Sequence, residues 1–211
     1  MKNNKTYYLL ILDKSGSMQD CVNETIGGFN EQLQMIEQMR VKFPEQEFYV
    51  SLTTFSDEVK HVFALDEGSK VKKLDRELYQ PAGSTALLDA IGKGVLNMDA
   101  KINKELTEGT ASAVVVILTD GYENASKLFN WQGIRKMIRE MEATGNWTFS
   151  FMGASEDAVE VASKMSIKSS NAMQFNKDEI GISLNRVSKS FHSYAMNKNE
   201  GKDAHFTLND E

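Results

Sequence analysis

The sequence predicts a three-layer, doubly wound α/β domain whose central sheet is mostly parallel, with one antiparallel edge strand and helices on both faces. Three observations predict it. Two unbroken apolar runs, Tyr7 to Leu12 and Ala113 to Thr119, each end at an aspartate; runs without polar alternation belong to strands covered on both faces. Apolar residues recur at helical spacing in the stretches between β-rich runs. Finally, Glu47 to Phe55 and Val59 to Leu65 are separated only by Ser56, Asp57 and Glu58. That gap is too short for a crossover helix and suits a hairpin, so the sheet is mixed.

In chain order, Tyr7 to Leu12 is read as a central strand. Val22, Ile26, Phe29, Leu33 and Ile36 follow at helical spacing, with Asp20 as the expected N-cap. The pair Gly27 and Gly28 weakens that helix and marks either close packing or a break. After the hairpin, Leu88, Ile91, Val95, Met98 and Ile102 form the next helical stripe, and Ala113 to Thr119 the second buried strand. Ile134, Ile138 and Met141 predict a helix, and Trp147 to Met152 a strand. Ser155, Glu156 and Asp157 predict a capped helix start. Ala172 to Phe175 reads as a short last strand. Asn176 and Glu179 have the spacing of a capping box before the stripe Ile180, Leu184, Val187, Phe191 and Tyr194. No repeat, low-complexity tract or linker divides the chain. Residues 5–196 are therefore read as one domain and 197–211 as a polar, frayed tail.

Length and composition agree with this reading and narrow the function. A chain of 211 residues suits one α/β domain, and at that size folding buries roughly 70% of the surface the unfolded chain exposes. With a net charge of −6 and no dense run of Lys or Arg, nucleic acid and anionic membrane are not expected partners. The single cysteine, Cys21, permits no internal disulfide and no thiolate cluster; this favours a reducing compartment, and a cytoplasmic location is expected. The apolar run at Tyr7 is too short for a signal peptide or a membrane span. His61, His192 and His205 show no ligand spacing, and methionines at helical spacing are read as core.

The residues that carry chemistry fall after strands. Asp13, Ser15 and Ser17 pack a carboxylate and two hydroxyls into five residues at a strand-to-helix turn, with Gly16 easing the bend. Thr85 offers another hydroxyl before the next long helix, and Asp120 a second carboxylate at the end of a buried strand. A doubly wound sheet brings these three loops to one edge. Taken singly, an Asp-x-Ser-x-Ser run is usually a capped turn and Thr85 a helix cap; together, after the correct strands, they point to a metal site. Oxygen-only donors suit a hard cation, Mg²⁺ first, with Mn²⁺ or Ca²⁺ as substitutes. Lys14, Met18, Gln19, Tyr122, Glu123 and Asn124 are expected on the rim, as a partner surface or as ordinary solvated loop residues. No catalytic triad, nucleophile elbow, P-loop or dinucleotide fingerprint is present.

With its Asp-x-Ser-x-Ser run at Asp13, Ser15 and Ser17, then Thr85, then Asp120, the chain resembles the von Willebrand factor type A (vWA) family over roughly residues 5 to 195. The resemblance implies a Rossmann-like fold with a metal-ion-dependent adhesion site. In it Ser15, Ser17 and Thr85 would hold the ion directly, and Asp13 and Asp120 directly or through water. The segment Val22 to Leu33 is similar to stand-alone bacterial, cytoplasmic, tellurite-resistance-like members. The function implied is non-catalytic, metal-dependent capture of a protein partner's Asp or Glu carboxylate. Such members often work in larger complexes, beside an AAA-type ATPase or in stress resistance. The alternative is a Mg²⁺-dependent phosphotransfer enzyme with Asp13 as nucleophile. Haloacid-dehalogenase-type phosphatases usually have a second aspartate where this chain has Ser15.

Overall fold

The architecture follows from a six-stranded sheet whose central strands bury nearly every side chain on both faces. A computed structural model describes residues 4–67, 70–202 and 204–209. Its strands are β1 (Lys5–Asp13), β2 (Glu47–Phe55), β3 (Val59–Glu67), β4 (Ala111–Thr119), β5 (Trp147–Gly153) and β6 (Ala172–Gln174). Its helices are α1 (Val22–Lys42), α2 (Leu87–Thr107), α3 (Trp131–Glu142), α4 (Ala158–Lys164) and α5 (Ile180–Asn199). The sheet order is β3-β2-β1-β4-β5-β6, with every pair parallel except β2 and β3. The hairpin therefore supplies the antiparallel edge, as its three-residue spacing requires.

Because successive side chains of a strand point to opposite faces, β1 serves two cores at once. Tyr8, Leu10 and Leu12 join Val114, Val116 and Leu118 of β4 beneath α1 and α5. Tyr7, Leu9 and Ile11 join Val115 and Ile117 on the other face beneath α2, α3 and α4. In that register Leu12 lies opposite Leu118. Gly28 is where α1 meets α5: a Cβ there would lie 2.5 Å from Leu184 Cδ1, whereas Gly27 faces open space. The glycine pair therefore marks close helix packing, and α1 runs through it unbroken.

Two local expectations fail. Asp20 does not cap α1, because residues 16–21 form a 3₁₀ turn that leads into the helix and puts Cys21 at its N-cap. The C-terminal segment is not frayed either: α5 continues to Asn199, and Phe206 and Leu208 are 1% and 5% exposed within the core beneath α1 and α5. The main chain of Leu208 and Asn209 bonds back to Ser170. Apolar residues this sparse show no period, which is why their packing was not legible. Residues 203, 210 and 211 of the predicted tail lie outside the described residues. Among the described residues no helix is long and apolar enough to cross a membrane.

Phe206→Ala removes a ring that is 1% exposed and should cost about 3 kcal/mol. Urea denaturation measures it; an unchanged midpoint would show that this segment is not part of the core.

Candidate metal centre

The upper edge of the sheet is built from the ends of β1 and β4. Asp13 is the last residue of β1 and fully buried, and both of its carboxylate oxygens are engaged from within the protein. Oδ1 accepts from the Ser15 backbone N–H at 2.6 Å, and Oδ2 from the Thr119 hydroxyl at 2.5 Å. Burial pushes its carboxyl above the usual range; the bonds from Thr119 and Ser15 oppose that push and the charge of Asp120 adds to it. The Tyr79 hydroxyl, itself buried, donates to the Asp13 carbonyl at 2.6 Å and fixes the strand end from above.

Three loops are stitched together around that carboxylate. Residues 13–17 and the segment before α2 are joined by Gly16 N–H to Gly83 carbonyl at 3.0 Å and Ala82 N–H to Lys14 carbonyl at 2.9 Å. The loop after β4 joins the same segment through Asn124, whose side-chain oxygen accepts from Thr85 N–H at 2.9 Å and whose N–H donates to the Thr85 carbonyl at 3.1 Å. Positive φ in this cluster belongs to Gly83, at +80°, and not to Gly16. The bend that needs glycine is therefore in the second loop. Gly16 instead lies against Gly83, where the two main chains approach.

All five predicted ligand residues are brought together. Ser15 Oγ and Ser17 Oγ are 3.1 Å apart, and Ser17 Oγ donates to Asp120 Oδ1 at 2.6 Å. Thr85 is placed by Gly121: a Cβ on that glycine would lie 3.0 Å from Thr85 Oγ1 and 3.7 Å from Ser17 Oγ. Gly121 thus leaves open the space that these hydroxyls line. The donors are all oxygen. Among the described residues no group of three His, Cys, Asp or Glu could hold an ion, so any ion at this edge depends on the hydroxyls. That donor set fits a small hard cation with retained waters and suits a soft thiolate-seeking metal poorly.

The predicted rim divides. Gln19 and Tyr122 are exposed, Tyr122 at 62% with its hydroxyl on Asp157, and Lys14 is half-buried. Met18 is not on the rim: the 3₁₀ turn directs it inward, where it is fully buried in the core. Asn124 is exposed and Glu123 half-buried, and both also accept hydrogen bonds from the main chain. Glu123 accepts from Leu88 N–H at the start of α2, as a cap does, and from Ala125 N–H and Ser126 N–H in its own loop.

Three residues escaped sequence reasoning. Asp89, 6% exposed, accepts from the backbone N–H groups of Lys127, Leu128 and Phe129 and so holds the far end of the loop after β4. Its position in the first turn of a predicted helix was the available signal. Tyr79 lies in a stretch without periodicity, and nothing local marks it. Lys177 reaches from the turn before α5, pairs its ammonium with Asp120 Oδ2 and donates to the Ser17 carbonyl at 2.9 Å. Burial lowers its pKa, but the bond to Asp120 and that carboxylate's charge outweigh burial, so the ammonium is held above its usual value. Cys21 is buried and burial pushes its thiol up, which suits an inert side chain.

A domain described as von Willebrand factor type A matches residues 9–189, so the chain belongs to that family. No curated protein sequence matches it. Among solved structures it is similar to proximal thread matrix protein 1 from the mussel byssus, at 15% identity and a TM-score of 0.63 over 88% of this chain and 45% of that one. It is likewise similar to the pilus adhesin SpaC of Lactobacillus rhamnosus GG in its open conformation, at 14% identity and a TM-score of 0.65 over 90% of this chain and 30% of that one. A second structure of the mussel protein, with a zinc-occupied MIDAS motif, matches at 14% identity and a TM-score of 0.58 over 87% of this chain and 45% of that one. At such identities the likeness shows the fold. The chain spans less than half the length of each of these proteins.

Asp89 gives a pH-dependent test. Its three backbone bonds hold its carboxyl below the usual value of 3.8, although burial alone would raise it. A carboxyl with a lowered folded-state pKa stabilises above the unfolded value and loses that contribution as pH falls through the folded one. Asp89→Asn should therefore cost about 2 kcal/mol at pH 7, on the scale of bonds to a charged group. The gap from wild type should close as pH falls below 3.8. Urea unfolding at both ends of the range checks this; a pH-independent gap would contradict it.

Proposed function

We propose that this chain is a non-catalytic, divalent-metal-dependent protein-binding module. Ser15, Ser17 and Thr85 hold the ion directly, with Asp13 and Asp120 beside them, and Mg²⁺ is the expected ion, with Mn²⁺ or Ca²⁺ able to replace it. The observation that carries the reading is the convergence of three hydroxyls and two carboxylates from three loops around the space that Gly121 leaves open. A bound divalent ion supplies a hard anchor for a carboxylate from a partner's Asp or Glu.

The chain's own residues prepare that anchor. Asp13 is bonded on both oxygens from inside and orients Ser15 through its N–H. The Asn124–Thr85 bonds fix the position of the Thr85 hydroxyl. Exposed groups around the opening, Gln19, Tyr122 and Asn124 with half-buried Lys14 and Glu123, supply partner specificity at the edge of the contact. The resemblance of the segment Val22 to Leu33 supports a stand-alone bacterial setting of tellurite-resistance type, and the single cysteine, Cys21, supports a cytoplasmic one. A place in a larger complex with an AAA-type ATPase or stress-resistance partner is supported by analogy with cytoplasmic members of the family.

The phosphotransfer alternative needs Asp13 as a nucleophile with an oxygen directed at an incoming phosphoryl group. Asp13 has 0% exposure and both oxygens accept hydrogen bonds from Ser15 and Thr119, which favours binding over that chemistry.

Mn²⁺ titration calorimetry should give one site, and Ser15→Ala combined with Thr85→Ala should weaken it at least about tenfold, a scale reached even by outer-sphere partners. Thermal unfolding in EDTA should stay cooperative, because the two cores do not depend on the ion. Recovery of a protein partner from lysate should fail with EDTA and with Thr85→Ala. Metal affinity unchanged in the double variant would remove the reading.

A further inference from the structure

The chain carries a cation of its own at the metal centre. Lys177 lies in the short turn 177–179 that links β6 to α5, a segment remote in sequence from all three site loops. Its ammonium pairs with Asp120 Oδ2, while Asp120 Oδ1 takes the Ser17 hydroxyl. Its second bond is to the Ser17 carbonyl. Both contacts are therefore to residues assigned to the ion. The Asp120 side chain is 0% exposed in this pair. In every other ion pair of the described residues the carboxylate is at least 31% exposed.

The contrast matters because a covered carboxylate needs a cation close by, whereas an exposed one is served by water. An ammonium in contact with Asp120 also repels an arriving divalent ion and occupies an oxygen that the ion would use or polarise. Lys177 has somewhere else to go. Its own side chain is 32% exposed and stands at the edge of a cleft of about 800 Å³ bordered by Tyr122, Ser155, Glu156 and Asn176.

We propose that Lys177 is a tethered counter-ion of the metal site: without metal it neutralises Asp120, and a divalent ion binds by displacing it into the neighbouring cleft. The affinity of this chain for metal is then set below what its oxygen donors alone would give. The turn before α5 is coupled to occupancy of the site. This rests on the metal-site reading above.

The test compares Mn²⁺ affinity of the wild-type chain, Lys177→Met and Lys177→Arg by titration calorimetry at one ionic strength. Loss of the charge should tighten binding at least about fivefold, while Arg, which keeps it, should stay within about twofold of wild type. In EDTA, Lys177→Met should melt below wild type, and Mn²⁺ should restore most of the difference. A wild type that shows no binding beside a Lys177→Met variant that binds would also support the counter-ion. Equal or weaker binding by a cooperatively folded Lys177→Met overturns it and leaves the metal site standing. Absence of binding by both overturns the counter-ion and the metal site together. A second measurement needs no variant: reductive methylation of wild type, followed by mass spectrometry, should modify Lys177 faster with Mn²⁺ present. An unchanged rate under conditions where calorimetry shows binding overturns the proposal.

Discussion

The hydrogen bond from the Thr119 hydroxyl to Asp13 Oδ2 joins the ends of the two central strands, and the arrangement of the upper edge depends on it. It exists because β1 and β4 pair in parallel with Leu12 opposite Leu118, so that Asp13 and Thr119 end their strands side by side. A one-residue slip would exchange the two faces of β1 and put Asp13 out of reach. The register is held by the cores themselves, since each face of β1 is covered by a different set of helices. Packing far below the site therefore decides where a carboxylate oxygen sits at its top.

From that fixed point the order of events in the loops is physical. The first loop hangs from Asp13 through Ser15 N–H, and the second is bonded to it where Gly16 meets Gly83. The third is clamped at one end by Asn124 on Thr85 and at the other by Asp89. Hydroxyls placed this way line the opening without bringing negative charge, and the two carboxylates are the only anions among the five. One of the two, Asp120, already has a partner in Lys177. The charge balance of the centre thus involves a residue from an element outside the three loops.

Much of this was legible in the sequence. Unbroken apolar runs ending at Asp13 and Asp120 located the central strands, and the three-residue gap at Ser56 fixed the antiparallel edge. The residues proposed to hold the ion were legible because they lie at strand ends or in the loops that lead into helices, where local order sets position. What stayed hidden depends on tertiary contact. Met18 reads as a loop residue but is turned inward by a 3₁₀ turn that no period announces. Glu123 and Asn124 read as rim and are half-buried and exposed, but that they also accept backbone bonds at and just before the start of α2 was hidden. Phe206 and Leu208 are too widely spaced to form a stripe, so only the fold shows them filling the core. Lys177 is one lysine among many until β6 brings its turn over Asp120.

The central claim is that the edge where β1 and β4 end holds one divalent ion on hydroxyl oxygens. The most direct measurement is diffraction from crystals grown with Mn²⁺, with data collected at a wavelength where manganese scatters anomalously. A single strong anomalous peak is expected within coordination distance, about 2.2 Å, of the Ser15, Ser17 and Thr85 hydroxyls. A peak elsewhere on the protein, with these three hydroxyls bonded only to protein and water, would contradict it.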